Sequence, residues 1–145
     1  MLRAHRIPHS TNVERVALAA ARKGLEVDWV DHDPLDRSPV RAISGQDLVP
    51  VVELDGGEVL IDSMAIVERF ETMVPEPRLY PLEPGARARA DVFIAWFNGV
   101  WKVAPNAIEG EEASASPDGD RSRRLAAELA GSRAIFDGLL ADGPF

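Results

Sequence analysis

The chain contains no cysteine among its 145 residues. That absence removes disulfides, thiolate metal sites and redox chemistry by the protein's own thiols. An excess of basic charge is missing too: 16 Lys and Arg stand against 24 Asp and Glu, and the net charge of -8 argues against attraction to nucleic acid or to anionic membranes. No apolar run reaches the roughly 18 residues of a membrane-spanning helix, and the opening MLRAHRIPHS lacks the apolar stretch of a secretory signal. A cytoplasmic protein with neither nucleic-acid nor membrane partner is expected. The three histidines, His5, His9 and His32, show no metal-ligand spacing with nearby carboxylates, so no metal site is expected. What is present is 46% hydrophobic and 28% charged, a composition that supports a packed core.

Residues 2–7 alternate weakly and stop at Pro8, which predicts a short strand. From Thr11 to Gly24, Val13, Val16, Ala17, Ala20 and Ala21 recur at helical spacing. Thr11 with Glu14 reads as a capping box, which puts Ser10 just outside the helix mouth. Residues 25–30 form a second strand, and Ser38-Pro39 predicts an N-cap and first helical position for a short helix closed by Gly45. Residues 49–54 and 58–61, separated by Asp55-Gly56-Gly57, read as a hairpin. Asp62-Ser63 then caps a helix to about Met73, with Ile66, Val67, Phe70 and Met73 or Val74 as its buried stripe.

The order βαβα followed by ββα, with a parallel unit first and an antiparallel hairpin last, is a thioredoxin-like topology. Residues 74–85 carry four prolines and read as a stiff linker. The expected organisation is a thioredoxin-like domain at 1–75, a proline-rich linker at 76–85 and an all-helical domain at 86–145. In that last part Ala86, Ala90, Phe93, Phe97, Val100, Trp101 and Ala104 share a helical face up to Pro105. A second helix from about Arg121 carries Leu125, Leu129, Phe136 and Leu140. The stretch EGEEASASPDGD between them reads as a mobile loop. The aromatic stripe including Trp96 and Trp101 is core or interface in character rather than a substrate wall.

PHSTNVERVALAAARKGL at 8–25, the Val49-Pro50 pair, and Asp62-Ser63 stand in this order along the chain. Together they resemble the glutathione transferases of the serine type, and the similarity continues through residues 76–101 and 136–145. The resemblance implies a thioredoxin-like glutathione-binding domain followed by part of an all-α domain, with glutathione as co-substrate. Ser10 stands where the family places its thiol-activating residue. A thiol with pKa near 8.5 is mostly protonated at neutral pH, and a hydroxyl donor at a helix N-terminus stabilises its thiolate. Serines before helices often serve only as caps, and Thr11 or Asn12 could face the sulfur instead.

The resemblance further implies that Pro50 is cis and that the Val49 backbone pairs with the cysteinyl part of glutathione like an added strand. Asp62 and Ser63 are similar to the acidic-serine pair that holds the γ-glutamyl end, although the family usually carries a longer acidic residue at the first position. The N–H groups opening that helix would add to the anion site. Arg41 and Gln46 are weaker candidates, for the glycine carboxylate. Two functions are compatible with this pattern: a glutathione-dependent enzyme acting on a small electrophile, or a non-catalytic glutathione-binding or dimerisation module. Relatives continue through further helices, so either more chain, homodimerisation or a rearrangement is expected to cover Phe93, Phe97 and Phe136.

Overall fold

The computed structural model describes residues 2–141, and these fall into two compact units dividing between Leu79 and Tyr80. The N-terminal unit contains β1 (Leu2–Arg6), α1 (Thr11–Lys23), β2 (Val27–Asp31), α2 (Ser38–Ser44), β3 (Val51–Glu53), β4 (Val59–Leu60) and α3 (Ser63–Met73). Its sheet has the strand order β2-β1-β3-β4, with β1 parallel to β2 and antiparallel to β3, and β3 antiparallel to β4. This is the expected thioredoxin-like arrangement, in which the first helix connects two parallel strands and a hairpin completes the sheet.

α1 and α3 pack against each other. α1 buries Val13, Val16, Ala19, Ala20 and Lys23, a face turned slightly from the expected stripe, because Ala21 is exposed and Lys23 is drawn inside. The stripe of α3 is Ile66, Val67 and Phe70, as expected, and Met73 is exposed. Val13, Val40, Val49 and Val51 form a buried cluster against which Ile7, Trp29 and Ile43 pack.

Two caps differ from the sequence reading. Ser10, not Thr11, is the N-cap of α1. Ser38 is already the first residue of α2, since Arg37 occupies the cap and the Asp36 carboxylate accepts hydrogen bonds from both the N–H and the hydroxyl of Ser38. Gly24 closes α1 at φ 64°, a left-handed conformation that side chains resist.

Lys23 reaches from the end of α1 to the carbonyls of Pro75 (3.4 Å) and Pro77 (2.8 Å) and pairs with Glu71. The proline-rich stretch therefore begins as part of the N-terminal unit's own packing.

The C-terminal unit holds α4 (Pro84–Trp96), a π-helical segment (Phe97–Trp101), α5 (Val103–Glu112) and α6 (Gly119–Leu140). Glu83 caps α4, accepting from the N–H groups of Gly85 and Ala86. Gly85 permits this approach, since a Cβ there would sit 3.1 Å from that carboxylate. The expected helix end at Pro105 is corrected. The Lys102 N–H bonds the Phe97 carbonyl five residues back (3.1 Å), which breaks the α-helical register. Pro105 then lies in the first turn of α5, where a missing N–H costs nothing.

The acidic stretch at 109–120 is likewise not wholly loop. Residues 109–112 complete α5, and α6 begins at Gly119 with Asp118 as its cap. Glu111 is buried and accepts from the Asp118 N–H (2.7 Å) and Arg121 Nη1 (2.8 Å), which ties the short connection to both helices.

Candidate functional site

The turn after β1 places the first candidate. His9 adopts φ 60°, a left-handed conformation uncommon outside glycine, and Ser10 follows in extended geometry. Such geometry lets a side chain fold back onto the helix it precedes. Ser10 Oγ accepts from the Val13 N–H at 3.4 Å, a long hydrogen bond. Because the hydroxyl accepts in this contact, its O–H remains a donor, and it stands at the positive end of the α1 dipole. Thr11, the first residue of the helix, is exposed.

The second station lies at the start of β3. The Val49-Pro50 peptide bond is cis, and both residues are buried, with the Val49 side chain in the valine cluster. Just before it, Gln46 imitates a strand partner: its Nε2 donates to the Leu48 carbonyl (2.9 Å), and its Oε1 accepts from the Leu48 N–H. Arg41 is gripped by Asp47 through two hydrogen bonds, so its charge is locally balanced.

The third station opens α3. Asp62 is exposed, and its Oδ1 accepts from the N–H groups of Met64 and Ala65, each at 2.9 Å. Those two N–H groups, expected from sequence to serve an incoming anion, are thus occupied by the chain's own carboxylate. Ser63 is buried, and its Oγ accepts from Arg15 Nη1 at 2.9 Å. The same nitrogen donates to Asn12 Oδ1 at 3.4 Å. The first turns of α1 and the start of α3 are therefore joined through Arg15. Sequence reasoning singled out Asn12 and Ser63 but missed the arginine between them, whose only sequence signal is its spacing three residues after Asn12 on one helix face.

A second cluster was also hidden by sequence distance. The ring of His5, buried on β1, places Nδ1 2.8 Å from His32 Nε2 and Nε2 2.9 Å from Glu53 Oε1. Burial and the neighbouring His5 hold the His32 imidazole below its ordinary pKa, against a smaller opposing pull from Asp31.

The sequence from residue 5 to 78, just over half of the chain, matches the family model described as glutathione S-transferase, N-terminal domain. The chain belongs to the glutathione S-transferase family. It is 38% identical over 86 residues to a maleylacetoacetate isomerase of Pseudomonas aeruginosa, an alignment covering 55% of this chain and 41% of that protein. The chain thus spans less than half of this curated relative. Among solved structures, a maleylacetoacetate isomerase from Anaeromyxobacter dehalogenans is 30% identical, with TM-score 0.74 over 100% of this chain and 70% of that one. A glutathione S-transferase from Methylobacillus flagellatus with glutathione bound shares the fold at TM-score 0.86 and 24% identity, covering 98% of this chain and 71% of its own.

Within the C-terminal unit the aromatic residues pack on one another. Phe136 of α6 lies edge-on to Phe93, Trp96, Phe97 and Trp101, with ring centroids 4.4 to 6.5 Å apart. The aromatic stripe is in this sense internal packing. Beside it, α4 and α6 flank an open apolar groove of about 520 Å³ that includes Val92, Phe93, Trp96, Ile135 and Leu139. No helix among the described residues is long and apolar enough to cross a membrane.

Proposed function

We propose that the N-terminal unit binds glutathione as co-substrate and that Ser10 stabilises its thiolate for reaction with a small electrophile. The observation that carries this reading is the Ser10 hydroxyl: an O–H donor at the mouth of α1, whose oxygen accepts a long contact from the Val13 N–H. Donation from that hydroxyl, together with the helix dipole, lowers the pKa of a nearby thiol. Val49 supplies its backbone to the cysteinyl part, with Pro50 shaping the approach, and Asp62 and Ser63 hold the γ-glutamyl end. Thr11 and Asn12 are secondary candidates for the sulfur. Arg41 and Gln46 are secondary candidates for the glycine carboxylate, with Arg41 weakened by its pairing to Asp47.

The reaction class is conjugation, isomerisation or reduction. The likeness to two maleylacetoacetate isomerases favours isomerisation. In that chemistry the thiolate adds to an activated C=C bond, electrons move into the conjugated carbonyl, the former double bond rotates, and the S–C bond breaks to return the thiolate. No metal is required. The same reading assigns residues 1–75 to glutathione binding and 86–145 to an all-helical domain joined through 76–85, in a cytoplasmic homodimer whose mass sedimentation velocity measures.

The test is calorimetric titration with glutathione together with turnover of a generic aryl halide and of a cis-unsaturated diketo acid, for the wild type and Ser10→Ala. Binding with turnover that falls in Ser10→Ala supports the enzyme. Binding without turnover in either protein rejects it in favour of a glutathione-binding module.

A further inference from the structure

Ser63 presents a problem of polarity that Arg15 resolves. A serine hydroxyl has one O–H to give and lone pairs to receive with, so the direction of its existing contact decides what else it can hold. Arg15 carries only donors, and its Nη1 lies 2.9 Å from Ser63 Oγ. The serine oxygen is therefore the acceptor there, and its proton is left to be given to another group. The partner of such a proton, beside a permanent positive charge, is an anion.

The usual source of anion stabilisation at this place is weakened. Two N–H groups at the start of α3 are taken by Asp62 Oδ1, and the Asp62 carboxylate itself adds negative charge to the helix mouth. A carboxylate brought to Ser63 needs a compensating cation, and Arg15 is a cation in direct contact with the serine. Asn12 Oδ1, accepting from the same Nη1 at 3.4 Å, helps hold the guanidinium where it meets Ser63. The exposed Asp62 suits the ammonium that accompanies the carboxylate on an α-amino acid.

We propose that Arg15 is a positioning and specificity-determining residue that turns Ser63 into a donor for the α-carboxylate of the γ-glutamyl residue. This rests on the reading that the N-terminal unit binds glutathione. The alternative is that Arg15 only ties α1 to α3. In that case its loss lowers stability but leaves ligand selectivity alone.

The experiment compares calorimetric affinities for glutathione and for 4-aminobutyryl-cysteinylglycine, which lacks only that carboxylate. It uses the full chain as wild type, Arg15→Met, Arg15→Gln and Arg15→Lys. The wild type is expected to prefer glutathione by about tenfold to a hundredfold, the worth of a charge-assisted hydrogen bond. Arg15→Met and Arg15→Gln are expected to bring the ratio close to one through weaker glutathione binding, with affinity for the analogue unchanged. Arg15→Lys is expected to retain most of the preference. If Arg15→Met fails to fold, Arg15→Gln and Arg15→Lys decide, because the ratio is measured within each folded variant. A wild-type ratio that persists in Arg15→Gln overturns the role of Arg15 while leaving glutathione binding intact, as does a wild type that binds both tripeptides equally. A wild type that binds neither overturns the glutathione reading itself.

Discussion

His5 and His32, 27 residues apart in sequence, share a hydrogen bond of 2.8 Å between Nδ1 and Nε2, while the other nitrogen of His5 meets Glu53 at 2.9 Å. A bond between two imidazoles needs a proton on one nitrogen and a lone pair on the other, so both rings cannot be fully protonated in this geometry. Burial and the adjacent His5 lower the His32 pKa in the folded protein. For a base whose folded pKa lies below its unfolded one, the contribution to stability is fully present above the unfolded value, near 6.5, and is lost as pH falls toward the folded value. Urea unfolding midpoints are expected to drop between neutral pH and about pH 5, with a shallower drop in His32→Asn. An equal slope in that variant would reject His32 as the source.

Lys23 is buried and engages the Pro75 and Pro77 carbonyls together with Glu71. Lys23→Met removes the cation and takes this donor from the two carbonyls, leaving Glu71 with the Leu79 N–H, so a loss of about 2–3 kcal/mol in urea unfolding is expected. Glu71→Gln is expected to cost less, since the lysine keeps its two carbonyl acceptors.

Ser10→Ala removes both a helix cap and the proposed thiolate donor, and these effects separate. Capping loss costs about 1 kcal/mol for alanine but only a few tenths for glycine. Ser10→Gly is therefore expected to fold nearly as well as the wild type and yet lose turnover by about 10²–10³-fold. The pKa of bound glutathione, followed through its thiolate absorbance, is expected to return toward about 8.5 in both variants. An unshifted pKa would move the role to Thr11 or Asn12.

Glu111 holds the α5–α6 connection through Asp118 and Arg121. Glu111→Ala is expected to cost about 1 kcal/mol, because the Asp118 N–H and the Arg121 guanidinium lose their shared acceptor. Amide exchange at residues 114–118 is expected to accelerate, and unchanged exchange would show that the connection is ordered by other contacts.

Much of the fold is local and therefore legible. The spacing of Val13, Val16 and Ala20, the Asp62-Ser63 start of α3 and the glycines after α1 and α2 are all written within a few neighbouring residues. The misreadings arose where two local signals competed. Ser10 and Thr11 both suit an N-cap, and the left-handed turn at His9 selects Ser10. Pro105 is a helix breaker in isolation, but the π-helical turn before it makes it a first-turn residue.

By itself the sequence determined the order of elements and the thioredoxin-like half, because periodicity, caps and turns act over a few residues; Ser10, Val49-Pro50 and Asp62-Ser63 stood out only through their resemblance to the glutathione transferases. Only the tertiary structure decided which polar groups meet: Arg15 with Ser63, His5 with His32 and Glu53, and Lys23 with Pro77, across separations of 27 to 54 residues. Hydrophobic pattern says which side of a helix turns inward. A buried polar side chain instead requires a partner, and that partner is supplied by whichever distant strand or helix the packing brings alongside it.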